Sequence, residues 1–361
     1  VPMSEDDPPT ARPRLSARMR VQIVVVAAVL LAVVAGIGGS VGYQAVAVDR
    51  DADRYPPPGE RVDIGGYRLH LHCLGVVDAN PTVVFESAPG AWSLAWRRVQ
   101  TDIARTTRAC AYDRAGYGWS DASPEPRSGR QIVYELNQLL INGGIEGPLV
   151  LVGHGAGGLW LRRYARRFPD QVAGLVLVDA VEEEVADLHE AVRAIRLRPI
   201  QKLATAARLG ILRHLLAGRI PIPALVREDR PAYRAAMMRP LTYQTLDLET
   251  ALLAEDAAAA RTIGPFPDLP LAVVSALHTV AGPGVVPDGY TVRGVNETWE
   301  RAQMRLTRLA ADPVHITTLN SDHEIPLNEP EVVVLAIERL FERIVVAGSG
   351  MEATSDREIA K

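Results

Sequence analysis

The sequence has 361 residues, 48% of them hydrophobic and 23% charged, a globular composition with room for one α/β domain and an appendage. Its net charge of −4 argues against a general attraction to nucleic acid. Residues 1–20 are polar and Pro-rich, carry Arg12, Arg14, Arg18 and Arg20, and are expected to be a disordered cytoplasmic tail. Residues 21–48 hold no charged residue and exceed the roughly 20 residues a bilayer requires. The arginines before this run and Asp49-Arg50-Asp51 after it place the main domain outside, as a single-pass cell-membrane protein. The alternative is a cleaved signal peptide with an apolar core at Ile23–Val34 and a small-x-small site at Ala45-Val46-Ala47, which makes the protein secreted. Residues 49–60, with Pro56-Pro57-Pro58, are expected to form a stiff linker.

From Arg61 to Cys73 the pattern alternates at period two around Gly65-Gly66, which predicts a β-hairpin. His70 and His72 share a face of its second strand; plain strand residues are the expectation, since no partners for a metal are evident. Strands are predicted at Pro81–Glu86 and Thr107–Asp113, followed by the Gly-punctuated turn Asp113-Arg114-Ala115-Gly116-Tyr117-Gly118-Trp119-Ser120. Gln131–Ile141 is amphipathic and helical. Pro148–Val152 is a short branched run of the interior-strand type, and it leads through Gly153-His154-Gly155-Ala156-Gly157-Gly158 into a helix at Leu159. A further interior strand ends at Asp179. Residues 182–268 then break the strand–helix rhythm with a helical insertion, basic between Arg193 and Arg219. The sheet resumes at Leu271–Leu277, a helix covers Asn296–Leu309, and Val314–Leu319 is the last strand. Ser321-Asp322-His323-Glu324 follows, then a helix from Glu329 to about Val346 and a polar tail, 348–361. Parallel strands alternating with helices behind an opening hairpin define a doubly wound, mostly parallel α/β sheet.

A strand, a sharp turn and a helix are the setting of the G-x-S-x-G nucleophile elbow. Gly153-His154-Gly155-Ala156-Gly157 fits it except that Gly155 stands at the nucleophile position. With the D-x-x-G-x-G-x-S form of Asp113–Ser120 and the placement of His323, the chain from Tyr55 to Val346 resembles the α/β-hydrolase family, in particular its esterase- and lipase-like members. The resemblance implies a hydrolase core at 61–181 and 269–347, with 182–268 as a helical cap over the site. A membrane-skimming amphipathic helix is the other reading of the basic insertion. The implied strand order makes the strands of Cys73 and Cys110 neighbours, so that in an exported domain they are either a disulfide or two buried thiols.

Hydrolysis on this scaffold needs a nucleophile, a base, an acid that orients the base, and N–H donors for the oxyanion. The resemblance assigns the base to His323 and the acid to Asp179, with Asp288 as the alternative. One oxyanion donor is the N–H of Ala156; alignment puts Pro89, which has no N–H, at the other, or Gly90 if the loop is shifted by one residue. The nucleophile position is vacant. Three readings follow: an exported, membrane-anchored pseudoenzyme that binds a small hydrophobic or ester-like ligand; an active carboxylic-ester-type hydrolase in which His323 activates a water; or a non-hydrolytic proton abstraction driven by His323 and its acid. The sequence points to no cofactor and no metal, and it leaves the oligomeric state open.

Overall fold

The structure, a computed structural model, describes residues 16–76, 81–185, 201–216, 218, 221–280, 286 and 289–359. Asp288 lies outside them, as do residues 193–200, 217 and 219 of the predicted basic stretch Arg193–Arg219. Eight strands form one sheet in the order β1-β2-β4-β3-β5-β6-β7-β8. They are β1 (Glu60–Asp63), β2 (Arg68–Leu74), β3 (Thr82–Glu86), β4 (Ala109–Tyr112), β5 (Leu149–His154), β6 (Val172–Val178), β7 (Leu271–Ala276) and β8 (Val314–Thr318). The β1–β2 and β2–β4 pairs are antiparallel; all others are parallel. Every residue of β3, β4, β5 and β7 is buried, as continuous apolar runs in a two-sided sheet require.

One face of the sheet is covered by α3 (Gly129–Asn142) and α4 (Ala156–Arg167), the other by α2 (Arg97–Ile103). The cap contributes helical residues 201–208, a π-helical turn at Leu212–Leu216, α5 (Arg230–Met237) and α6 (Pro240–Ala260). The first face also receives α7 (Val292–Thr307), and the second α9 (Pro330–Ile359), which follows the single turn α8 (Ile325–Asn328). The helix α9 runs on through most of the stretch expected to be a polar tail.

The first helix, α1 (Ala17–Arg54), is one unbroken rod of 38 residues. It therefore absorbs the first half of the predicted linker, whose alternating charges Asp49-Arg50-Asp51 do not oppose helix once the segment packs on the cap. Residues 21–34 are largely exposed and apolar, whereas Gln44 and Ala47 are buried against the domain. The small-x-small sequence Ala45-Val46-Ala47 lies inside this packed helix rather than in an extended site.

Cys73 and Cys110 face each other across the antiparallel β2–β4 pair and are joined as a disulfide. It closes a loop of 37 residues, for which chain entropy assigns about 4 kcal/mol of stabilisation. The folded chain is expected to show no free thiol without reductant. Reduction, or the double substitution Cys73→Ser/Cys110→Ser, should lower its Tm. Full alkylation of the native, unreduced chain would contradict the bridge.

Candidate active site

The candidate residues gather at the carboxyl ends of the parallel strands, where open parallel sheets bind ligands. Gly155 follows β5, Ala88 follows β3, Asp179 follows β6 and His323 follows β8. The chain must reverse sharply between β5 and α4, and small residues permit it. A Cβ on Gly153 would meet the Gly158 nitrogen at 2.6 Å, and one on Gly157 would meet the Glu86 carbonyl oxygen at 2.8 Å. Gly155 itself has φ 56° and ψ −125°, a conformation that side chains rarely adopt. The elbow backbone is thus present in full without its side chain.

His323 is aimed at that vacancy. Its Nε2 lies 3.3 Å from where a Cβ on Gly155 would stand, and the Ala88 Cβ lies 3.1 Å from the same point. On the other side of the ring, Nδ1 donates to Asp179 Oδ2 at 2.7 Å. Asp179 is fully buried and also accepts from the Thr279 hydroxyl (2.7 Å), the Trp299 indole N–H (2.9 Å) and the Ala276 N–H (3.1 Å). Burial alone would raise its pKa; the His323, Thr279 and Ala276 contacts outweigh burial and hold it below the ordinary carboxylate range. Among the described residues Asp179 is the one non-glycine with positive φ, 41°. The backbone at this strand-end Asp is bent, and its carboxylate is shared between the imidazole and three other donors.

A second histidine, not singled out by its sequence context, supports the first. His154 Nε2 lies 2.8 Å from the His323 carbonyl oxygen, so its neutral ring carries its proton there and donates it. The two rings sit 4.6 Å apart. Burial, and then the neighbouring His323, depress the His154 pKa to about 4.

The loop after β3 carries the two positions expected for an oxyanion donor, Pro89 or, with a shift of one, Gly90. Pro89 carries no N–H, and the Gly90 N–H is spent on the Tyr117 hydroxyl at 3.2 Å. The Ala91 N–H is spent on the Ala88 carbonyl. Ala88 is the loop residue that reaches the Gly155 position. The buried Arg114 guanidinium holds the Ser87 carbonyl at 2.6 Å and the Ala88 carbonyl at 3.1 Å. In a trans peptide the N–H opposes the C=O, so the Ser87 carbonyl's bond to Arg114 turns the Ala88 N–H the other way. Arg114 is held in turn by Glu249 (2.9 and 3.0 Å) and Glu86 (2.6 Å), charges that keep its pKa well above normal despite burial. The turn Asp113–Ser120 thus organises the pocket wall, and Asp113 is further bound to His70 at 3.0 Å. The two hairpin histidines do lie on one face, their rings 6.4 Å apart, but His70 is committed to that carboxylate. No group of metal-ligating side chains occurs among the described residues.

Beside the site lies a cavity of about 340 Å³ between the loop 88–95 and the cap. Trp92, Ile222, Leu225 and Tyr233 give it an apolar lining; Glu324, next to His323, is the one carboxylate among the described lining residues. A second cavity, about 350 Å³, lies between α1, α5 and the turn at Trp119.

A family model described as the α/β-hydrolase fold matches residues 81–206. The chain is 28% identical to a 2-(acetamidomethylene)succinate hydrolase of Mesorhizobium japonicum over 77% of this chain and 92% of that one. It is 32% identical to a vacuolar membrane protein of Saccharomyces cerevisiae over 33% of this chain. The chain spans only about a quarter or less of the length of the yeast relatives it matches. Among solved structures, the epoxide hydrolase CorEH superposes with a TM-score of 0.57 at 18% identity, over 79% of this chain and 98% of the other. The protein has the α/β-hydrolase fold.

The buried His154 makes a pH prediction. In the unfolded chain an imidazole takes up a proton near pH 6.5, whereas the folded ring stays neutral down to about 4. Its contribution is therefore complete above pH 6.5 and is lost as pH falls toward 4. The Tm of the detergent-solubilised chain should fall between pH 7 and pH 5. His154→Gln should fall less over that interval, by the equivalent of about 2 kcal/mol. Equal falls in the two proteins would contradict the assignment.

Proposed function

We propose that this chain is a membrane-anchored, exported α/β-hydrolase-fold protein that binds a small hydrophobic or ester-like ligand and forms no acyl-enzyme. The observation that carries the reading is the conjunction at the elbow. The backbone is bent as a nucleophile requires and His323 stands 3.3 Å from the Cβ position, yet residue 155 has no side chain. Without a hydroxyl or thiol there, the covalent half of ester hydrolysis has no attacking atom. In this reading Ala156 and Ala88 supply the oxyanion N–H groups, so that none is needed from Pro89, and the apolar cavity beside Glu324 takes the ligand.

In this reading the core is 61–181 with 269–347, the cap is 182–268 and the anchor is 21–48, its helix running on to Arg54 through part of the expected linker 49–60. The packing of Gln44 and Ala47 on the domain supports a retained anchor over a cleaved signal peptide. The disulfide fits an oxidising compartment, and the arginines before α1 fit a cytoplasmic N-terminus.

A second reading has its own support. The Asp179–His323 pair keeps a short hydrogen bond and three further donors on the carboxylate, machinery that binding alone does not call for. In this reading Nε2 acts as a general base on a bound water or on an acidic proton of the ligand, without a covalent intermediate.

Gly155→Ser separates the two. Backbone strain of about 1–3 kcal/mol, together with the close Ala88 and His323 neighbours, should lower the Tm. The added hydroxyl should raise turnover of short aryl esters about 10²-fold or more, and His323→Ala should abolish the gain. A wild-type chain hydrolysing esters at ordinary enzyme rates would overturn the proposal. Slow wild-type turnover lost in His323→Ala would favour the general-base reading.

A further inference from the structure

The bilayer-facing end of the domain can be located from α1, if that helix spans the membrane as proposed above. At 1.5 Å per residue the exposed apolar run Val21–Gly39 measures about 28 Å, against a hydrocarbon core of about 30 Å. The first residue beyond the run, Ser40, is also the first one that bonds the domain. Its hydroxyl donates to the Leu209 carbonyl. One turn on, the Gln44 side-chain amide donates to the Met238 carbonyl at 2.8 Å and its oxygen accepts from Arg213 Nε at 3.1 Å. Arg213 also pairs with Asp51 at 2.7 Å, and His214 stacks on Tyr43 with 4.8 Å between ring centroids. A Cβ on Gly210 would stand 2.9 Å from the Ser40 hydroxyl oxygen.

These contacts make the cap turn 209–215 the part of the domain that packs lowest on α1. Polar backbone and a guanidinium do not sit in hydrocarbon, so the boundary falls at or just below Ser40. The same turn leaves two apolar side chains in the open, Ile211 (38% exposed) and Leu215 (69% exposed). They are four residues apart, with the buried Leu212 between them, so they share the outer face of one helical turn. A turn held at the boundary by a helix that leaves the membrane there presents this face to lipid.

We propose that the cap turn Ile211–Leu215 is seated in the bilayer interface, with both side chains inserted among headgroups and upper acyl chains, and that the partner of this face is the lipid surface. The cap is then both a cover for the pocket and a membrane contact, held in register by the Ser40, Gln44 and Asp51 contacts. The two readings of the basic insertion thereby describe different parts of one element.

The test uses the full chain in phosphatidylcholine nanodiscs. Single cysteines at Leu215, Ile211, Leu30 and Tyr134 are labelled with an environment-sensitive fluorophore, the native Cys73–Cys110 bridge being unreactive. Tyr134 is an exposed residue of α3 and serves as the aqueous reference. Leu215→Cys and Ile211→Cys should emit to the blue of Tyr134→Cys and be quenched by lipids with a shallow nitroxide. Leu30→Cys should be quenched by a deep one. If Leu30 is quenched and Leu215 behaves like Tyr134, with quenching by aqueous iodide, the anchor stands and the interfacial cap is overturned. If position 215 is shielded from both lipid and iodide, the face is covered by protein and the proposal is again overturned. If position 30 is not quenched, the anchor reading fails and the inference with it.

Discussion

The buried carboxylate of Asp179 is the constraint around which the site is arranged. A charge with no exposure is tolerated only when its hydrogen-bonding capacity is filled. Four donors fill it here, from β7, the loop after β7, α7 and the segment after β8. The carboxylate therefore fixes elements far apart in sequence at one point, and the imidazole is the one that faces outward. The bent backbone at residue 179 is the local cost of this convergence.

A second buried cluster does the same for the opposite wall. Arg114, Glu86 and Glu249 lie between the sheet and α6, with Arg127 and Glu135 adjoining them. Burial raises the pKa of Glu86, against the opposing pull of Arg114 and the Tyr112 hydroxyl. Through Arg114 this cluster orients the Ser87 and Ala88 peptides, and through Glu249 it joins the cap helix to the core. Residue 155, with no side chain, lies between these two walls.

Much of this was legible in the sequence because periodicity and turn chemistry act locally. The strands, the hairpin, the elbow and the strand-end placement of Asp179 and His323 all follow from short patterns. The strand order implied by the resemblance made the strands of Cys73 and Cys110 neighbours, but the choice between a bridge and two buried thiols needed the register that sets them opposite each other. What was not legible depends on contacts across long separations. Thr279 and Trp299 reach Asp179 from about 100 and 120 residues away. Glu249 meets Arg114 across 135 residues, with no local sign that either is buried. The loop after β3 was less legible for a different reason: spacing alone does not say where each N–H points, and the bond that the Gly90 N–H donates to the Tyr117 hydroxyl exists only in the fold. The helix end was misplaced because the charges at 49–51 resemble a linker until Arg213 pairs with Asp51.

The central claim is that the elbow, with its base in place, holds no nucleophile. Intact-mass spectrometry after exposure of the wild-type chain to a fluorophosphonate, which traps activated serines irrespective of the natural ligand, tests it directly. The expected result is an unmodified mass. A single phosphonyl adduct that disappears in His323→Ala would show that some other hydroxyl is activated by the dyad, and would contradict it.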